Sequence, residues 1–182
     1  MSISSNAAPV ALSSSACQLQ SLFIGRGGSL QSEPAPHSAS LASDHEGAFT
    51  FTHTFGHDVH LGGALVLSCT MDAASVERGR FCAALFQRTP SARSRWQKDD
   101  QPLPCITGYL REPGQACGGA MLQVALTMTT RPTAFLAGDQ LIVRLTLAAP
   151  KGSDAVMRGT IYSGAAAGSV LTFSTVPVAR HP

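Results

Sequence analysis

Three histidines are the residues of this chain best suited to chemistry. His53, His57 and His60 have the spacing H-x3-H-x2-H, and Asp58 lies among them. Imidazole and carboxylate groups are common ligands of Zn, Cu and Ni. On one continuous strand, however, His53 and His57 would lie ~13 Å apart, too far for one ion unless the chain folds at Gly56. We therefore expect no metal and no other cofactor, and we interpret His53 as a hydrogen-bonded residue at the margin of the core.

The second candidate is a loop in which the only tryptophan lies among three cations. Trp and Arg together are typical of protein interfaces, of sugar-stacking surfaces and of single-stranded nucleic-acid sites. The adjacent Asp99 and Asp100 oppose the positive charge, which argues against nucleic acid. We predict a contact with protein or glycan, or else a solvated loop with the indole folded onto the sandwich edge. The residues concerned are Arg93, Arg95, Trp96 and Lys98.

The five cysteines give no CxxC pair, which excludes the usual zinc-ribbon and thioredoxin motifs. Cys69 and Cys82 lie in strand-like runs, where a reduced cysteine packs as a small apolar residue. Cys105 and Cys117 flank a short segment and could form a disulfide in an oxidising compartment. Neither a G-x-S-x-G elbow nor a P-loop pattern is present, so the sequence predicts no enzyme.

Length and composition favour a single domain built mainly of β-strands. The 182 residues include 44% hydrophobic and only 13% charged residues, with a formal net charge of +2. That charge is too small to indicate a nucleic-acid or membrane partner. We find no secretory signal pattern and no apolar run of membrane-spanning length. We expect cytoplasmic synthesis, with virion or extracellular assembly left open.

Period-2 alternation of apolar residues recurs from Gly47 onward and predicts about eight short strands separated by turn signals. We therefore predict an all-β, antiparallel sandwich of the jelly-roll type over residues 47–178, with a tail at 179–182. The Gly138-Asp139 turn and the strand after it are the clearest example. The predicted core consists of Phe51, Leu65, Leu67, Phe81, Leu85, Leu122, Val124, Leu126, Phe135, Leu141, Val143 and Leu145.

Residues 1–46 differ from the rest because they are rich in Ser, Ala, Gln, Gly and Pro. Their one strongly apolar patch contains Leu22, Phe23 and Ile24. We interpret the segment as an extended arm that packs through this patch on a neighbouring subunit. A segment of this composition buries too little apolar surface by itself to offset the entropy lost on ordering.

Three segments of the sequence resemble a known family. They are the Phe-Thr-Phe-Thr opening at 49–52 with Asp58 to Gly63, the Leu65 to Leu85 region, and Ile106 to Arg111 followed by Arg131 to Leu141. The order of these features resembles the C-terminal domain of X-Pro dipeptidyl-peptidase and cocaine-esterase type hydrolases. That resemblance implies a galactose-binding-like jelly roll. The chain lacks the nucleophile elbow of the catalytic domain, so hydrolysis does not carry over.

From these observations we expect a non-catalytic jelly-roll protein with a structural or interaction role. An assembly subunit, such as a virion decoration or filament protein, fits the isolated sandwich with an arm. Its partner would be a second copy or another structural protein. A carbohydrate-binding module is the alternative indicated by Trp96 and by the resemblance. An accessory domain for an α/β-hydrolase is the second alternative.

Overall fold

The computed structural model describes residues 17–35, 37–72, 80–90, 100–111, 121–148, 156–164 and 168–178. Within these ranges the chain forms strands and one short 3-10 turn at Arg26–Gly28, without an α-helix, and no helix there could cross a membrane. The strands are β1 (Gln18–Ile24), β2 (Leu30–Gln31), β3 (Ala39–Ala42), β4 (Ala48–Thr54), β5 (Val59–Asp72), β6 (Arg80–Arg88), β7 (Gln101–Leu103), β8 (Cys105–Arg111), β9 (Met121–Thr130), β10 (Thr133–Phe135), β11 (Gln140–Ala148), β12 (Thr160–Ser163) and β13 (Val170–Pro177).

The larger sheet is built around the long strand β5. One edge of β5 pairs with β13 and β12, and the other pairs with β9 and β10, all antiparallel. The sheet continues through β1 beyond β13, through β3 beyond β12, and through β8 beyond β9. Successive side chains of β5 point to opposite faces, so alternate residues fill the core and the others form the outside of the sheet.

The smaller sheet has the strand order β4-β11-β6-β7, again antiparallel. Strand β7 belongs to this sheet and β8 to the larger one, so the chain passes between sheets at Pro104. The Tyr109 hydroxyl accepts a hydrogen bond from the Phe81 N–H at 3.0 Å and donates one to the Phe81 carbonyl at 3.1 Å. Thr107 donates to the Ala83 carbonyl at 3.3 Å. These bonds provide hydrogen-bond partners for backbone groups at the edge of β6, beyond the residues that pair with β7.

The core between the sheets confirms the sequence prediction of an antiparallel sandwich. All twelve residues predicted for the core are buried, and Phe51, Leu65, Phe135 and Val143 are fully excluded from solvent. Alternation along each strand was sufficient to identify them, because successive side chains point to opposite faces. The structure adds buried residues that the prediction did not include, among them Leu22, Ile24, Leu30, Met71, Met128, Ile161, Leu171 and Phe173.

The position of β1 corrects the prediction of an arm that docks on a neighbouring subunit. Gln18 to Phe23 pairs with Thr175 to Val170 of the same chain, and the side chains of Leu22 and Ile24 lie in the core of this sandwich. Phe23 is half-buried on the opposite face of the strand. The boundary at residue 46 therefore does not separate an arm from the domain, since β1, β2 and β3 are all part of the larger sheet. Residues 1–16 lie outside the described ranges.

This placement can be tested with a buried and an exposed residue of the same strand. We expect Ile24→Ala to lower the free energy of unfolding by roughly 2–5 kcal/mol, because it opens a cavity in the core. Leu19→Ala is the matched control: its side chain is 74% exposed, and we expect a change of about 0.5 kcal/mol or less. Urea denaturation followed by fluorescence measures both. Equal stability of the two variants would mean that the Ile24 side chain lies outside the core.

Candidate functional site

Among the described residues, the histidines predicted as weak metal-ligand candidates do not form one site. The loop of Arg93, Arg95, Trp96 and Lys98 lies outside the described residues. His57 and His60 are exposed, whereas His53 is half-buried in β4. In the described part of the chain, no group of three or more His, Cys, Asp or Glu side chains is placed to hold a metal ion.

His53 lies at the margin of the core, in contact with two aromatic rings. Its imidazole meets Phe55 edge-on, with ring centroids 4.8 Å apart, and Phe173 at 6.2 Å. Burial lowers the pKa of His53 below its ordinary value of 6.5, and a hydrogen bond to the backbone of Leu30 partly opposes this change. The contact with Leu30 links β4 to the segment that contains β2. His53 thus serves as a neutral packing residue that helps to hold the N-terminal strands.

The lowered pKa of His53 predicts that stability depends on pH. The folded state favours the neutral imidazole, so this contribution is fully present above the unfolded pKa of 6.5. It is lost as the pH falls from there through the lower folded value, because the unfolded chain binds the proton more readily. We expect His53→Gln to reduce the fall in unfolding free energy between about pH 7.5 and pH 5, measured by urea denaturation. His60→Gln, at an exposed histidine, should leave the fall unchanged. An unaltered pH dependence in His53→Gln would contradict this assignment.

Two carboxylates fix the turn between β10 and β11 at one end of the sandwich. Asp139 is 2% exposed, and its Oδ2 accepts hydrogen bonds from the Leu136 N–H at 2.9 Å and from Gln87 Nε2 at 3.1 Å. Asp58 Oδ1 accepts from the Ala137 N–H at 2.8 Å. Gly138 adopts a φ of +89°, which glycine reaches without strain. Both carboxylates accept hydrogen bonds from backbone N–H groups of the turn, and these bonds stabilise its conformation.

We expect replacement of Asp139 to destabilise the fold. Asp139→Ala removes two charge-assisted hydrogen bonds and leaves the Leu136 N–H without its acceptor, so the free energy of unfolding should fall by about 3 kcal/mol. Asp58→Ala removes one such bond at a half-buried site, and the loss should be about 1–2 kcal/mol. Thermal and urea unfolding of both variants measure the difference. If the two losses were equal, or if Asp139→Ala were neutral, Asp139 would not be the main anchor of the turn.

The described cysteines are free thiols in different environments: Cys17 and Cys82 are exposed, Cys105 is half-buried and Cys69 is buried. Cys69 is buried as predicted, and burial raises the pKa of its thiol to about 12. The prediction for Cys82 is wrong, because its side chain is exposed on the outer face of β6. Cys105 is a half-buried free thiol, and burial raises its pKa as well. Its predicted partner, Cys117, lies outside the described residues.

The outer surface of the larger sheet is the most extended feature that could bind a partner. Strands β1, β13, β5, β9 and β8 lie side by side, and their register aligns the outward residues in three rows. These residues are uncharged apart from Arg111, which ends one row on β8, and we call this surface the neutral face. Its first two rows are Ser21, Thr172, Val66, Thr127 and Gly108; and Phe23, Val170, Ser68, Ala125 and Arg111. A third row consists of Ala64, Thr129 and Ile106, and a register shift in β13 separates it from the paired residues Leu19 and Ser174.

The outer surface of the smaller sheet is different, because it carries paired charges. Arg88 binds the Asp100 carboxylate through two hydrogen bonds of 2.6 and 3.0 Å. Arg144 forms an ion pair with Glu46, and Asp44 lies 3.9 Å from the same guanidinium. Partly exposed ion pairs of this kind suit a surface in contact with water. Depletion of charge is instead typical of the central part of a protein interface.

Large apolar side chains stand at the two edges of the neutral face. Leu19 on β1 is 74% exposed, and Ile106 on β8 is 76% exposed. Beside Ile106 is an open depression of about 520 Å³. The residues that line it are Pro104, Cys105, Ile106, Thr129, Thr130 and Arg131. The neutral face therefore has an apolar projection at one edge and an apolar residue with a depression at the other.

Sequence reasoning missed this surface, although part of the signal was present. The alternation Ala64, Val66, Ser68 against Leu65, Leu67, Cys69 identified the outward residues of β5. The scarcity of charge becomes visible only when five strands are aligned, because these strands come from distant parts of the chain. Leu19 lies within the segment of residues 1–46 that was interpreted as an arm, and it was not placed on any sheet.

Comparison with known proteins gives matches in structure but none in sequence. Neither a family model nor a curated protein matches this chain. A CocE/NonD family hydrolase from Staphylococcus aureus matches with a TM-score of 0.65 at 12% identity, over 88% of this chain and 37% of that chain. An α-amino acid ester hydrolase matches with a TM-score of 0.56 at 12% identity, over 88% of this chain and 36% of the other. An aminopeptidase from the marine sediment archaeon Thaumarchaeota archaeon gives 0.52 at 11% identity, over 88% and 37%.

These matches concern the fold, since all the identities are low. This chain spans about 37% of the length of the first of these hydrolases. The resemblance predicted from three short sequence segments is confirmed at the level of fold. The chain therefore has the all-β sandwich fold that forms little more than a third of CocE/NonD-type hydrolase chains.

Proposed function

We propose that this chain is a non-catalytic β-sandwich that acts by contact with other protein, as a structural or interaction subunit. The observation that carries the proposal is the extent of the match, because the larger part of each matched hydrolase chain lies outside the shared region. Fold alone does not transfer activity, so the proposal also depends on the side chains present.

The described carboxylates and histidines support this proposal by the bonds that they already make. Asp139 and Asp58 are held by backbone N–H groups of the turn, and His53 packs against aromatic rings. A general base needs a lone pair directed at the substrate, whereas these groups direct theirs into the fold. The neutral face offers a broad surface with few charged side chains, and depletion of charge is typical of the central part of a protein interface.

The identity of the partner separates the alternatives within this function. A virion decoration protein or filament subunit would bind copies of itself or another structural protein. An accessory domain would bind an α/β-hydrolase domain, and the partial match to hydrolase chains favours this second candidate. The carbohydrate-binding alternative rests on the galactose-binding-like resemblance and on Trp96, which lies outside the described residues.

Assays of hydrolysis test the non-catalytic part of the proposal. We expect the purified full chain to release no p-nitrophenol from p-nitrophenyl butyrate, and no p-nitroaniline from alanyl p-nitroanilide, above the rate of a heat-denatured sample. The physical reason is that the described residues provide no activated nucleophile. A rate proportional to protein concentration that is abolished by a fluorophosphonate reagent would contradict the proposal. An unchanged rate after heating would identify background chemistry.

A further inference from the structure

We propose that the depression at the start of β8 and the end of β9 binds a small ligand that combines a carboxylate with an apolar group. The proposal goes beyond the contact function, because it assigns a ligand to a site that protein contact does not require. Three features support it. They are a cation without an ion-pair partner, a buried hydroxyl without a hydrogen-bond partner, and an exposed apolar side chain, all of which line the same depression.

The pairing of β8 with β9 brings the lining residues together. Cys105 pairs with Thr130 and Ile106 pairs with Thr129, while Arg131 follows directly. Successive side chains of a strand point to opposite faces, so residues from both faces of the sheet line the depression. Its volume of about 520 Å³ lies within the range of small-molecule sites. Because the depression is open, we expect a weakly held ligand.

Arg131 supplies a positive charge to the depression. Arg88 and Arg144 form ion pairs on the smaller sheet, whereas Arg131 forms none with the described residues. No acidic side chain is among the described residues that line the depression. A guanidinium binds a carboxylate through two parallel hydrogen bonds, which makes a carboxylate the ligand group that best matches Arg131.

Thr130 distinguishes this depression from an ordinary surface with one arginine. Its side chain is 8% exposed, and its Oγ1 has no hydrogen-bond partner among the described residues. A buried hydroxyl without a partner destabilises the free protein. A ligand carboxylate that accepts a hydrogen bond from Thr130 would supply the missing partner. The hydroxyl is covered in the free chain, so binding would include a rotation of this side chain about χ1.

Ile106 gives the depression its apolar side. It is 76% exposed, more than any other large hydrophobic residue in the described part of the chain. An apolar ligand group that covers Ile106 and Pro104 removes surface of both molecules from water, which favours binding. The Cys105 thiol beside them has a raised pKa because it is partly buried. It therefore contributes polarisable surface to the depression rather than a nucleophile.

The experiment is a titration of the full chain with octanoate, followed through the chemical shifts of the protein amides. Octanoate should bind with a dissociation constant of ~1 mM or tighter, as expected for a ligand of about ten non-hydrogen atoms. Octanamide keeps the chain without the charge, and acetate keeps the charge without the chain. Both controls should bind at least about tenfold more weakly, because each lacks one of the two matched groups.

Matched variants test the two sides of the depression. Arg131→Gln should weaken octanoate binding about tenfold or more, and Arg131→Lys should retain part of the affinity because it keeps the charge. Arg26→Gln changes an exposed arginine of the 3-10 turn and should have no effect. Ile106→Ser should weaken binding about fivefold. Leu19→Ser is its control, since Leu19 is 74% exposed at the other edge of the neutral face.

The variant Thr130→Val separates a ligand site from a purely structural role. Valine has nearly the shape of threonine and removes the hydroxyl that lacks a partner, so the midpoint of thermal unfolding of the free chain should rise. The same variant should weaken octanoate binding about fivefold, because the ligand loses a donor. A gain in stability with unchanged affinity would contradict the role of Thr130 in the site.

The Cys105 thiol reports where the ligand lies. Bound octanoate should slow the alkylation of Cys105 by iodoacetamide, measured by the masses of proteolytic peptides. Alkylation of Cys82, which is exposed on the smaller sheet, should proceed at the same rate with and without octanoate. Equal rates at Cys105 under saturating octanoate would place the ligand elsewhere and overturn the proposal.

A free acid and the C-terminus of a peptide present the same ligand chemistry, and a second titration distinguishes them. N-acetyl-Leu-Leu is compared with its C-terminal amide and with octanoate. Tighter binding of octanoate identifies a free acid as the ligand class, and tighter binding of the peptide acid identifies a C-terminus. Either result supports the site if Arg131→Gln weakens it. If neither carboxylate binds, or if Arg131→Gln and Ile106→Ser leave binding unchanged, the proposal is wrong.

Discussion

The fold depends on β5, whose backbone is hydrogen-bonded to neighbouring strands along both edges. Its fourteen residues must suit two environments at once, since one face is sealed between the sheets and the other lies outside. Leu65, Leu67 and the other inward residues fill the core, while the outward residues Gly62, Ala64 and Ser68 in the middle of the strand are small. At Gly62 the Ser174 hydroxyl occupies the place that a Cβ would need, so a larger residue would require that side chain to move.

Local alternation allowed much of the fold to be predicted, because it depends only on the chain's own geometry. The buried set from Phe51 to Leu145 follows from period 2 alone. Where pairing partners are distant, the same reasoning failed. Leu22 to Ile24 is an isolated apolar patch in a polar segment, and nothing local shows whether it pairs with its own chain or another. Its partner strand, around Leu171, lies near the other end of the sequence.

The candidate site was harder to predict, because which residues share a surface depends on the register in which the strands pair. Each strand of the neutral face shows only a few threonines, serines and alanines, which any exposed strand may use. The surface becomes visible only when five such strands are placed side by side, and their register is set by non-local pairing. Single residues were easier: His53 shares the parity of Phe51 and Phe55, which placed it at the core margin. Its contact with Phe173 required the tertiary structure.

The larger sheet limits how the sandwich can associate, because its edges are poorly suited to the addition of another strand. At one side, β8 is tied to β6 through Tyr109 and Thr107. At the other side the sheet ends in β2 and β3, strands of only two and four residues, and short edge strands are poor templates for addition of another strand. A partner of the larger sheet would therefore meet its outer surface rather than extend the sheet.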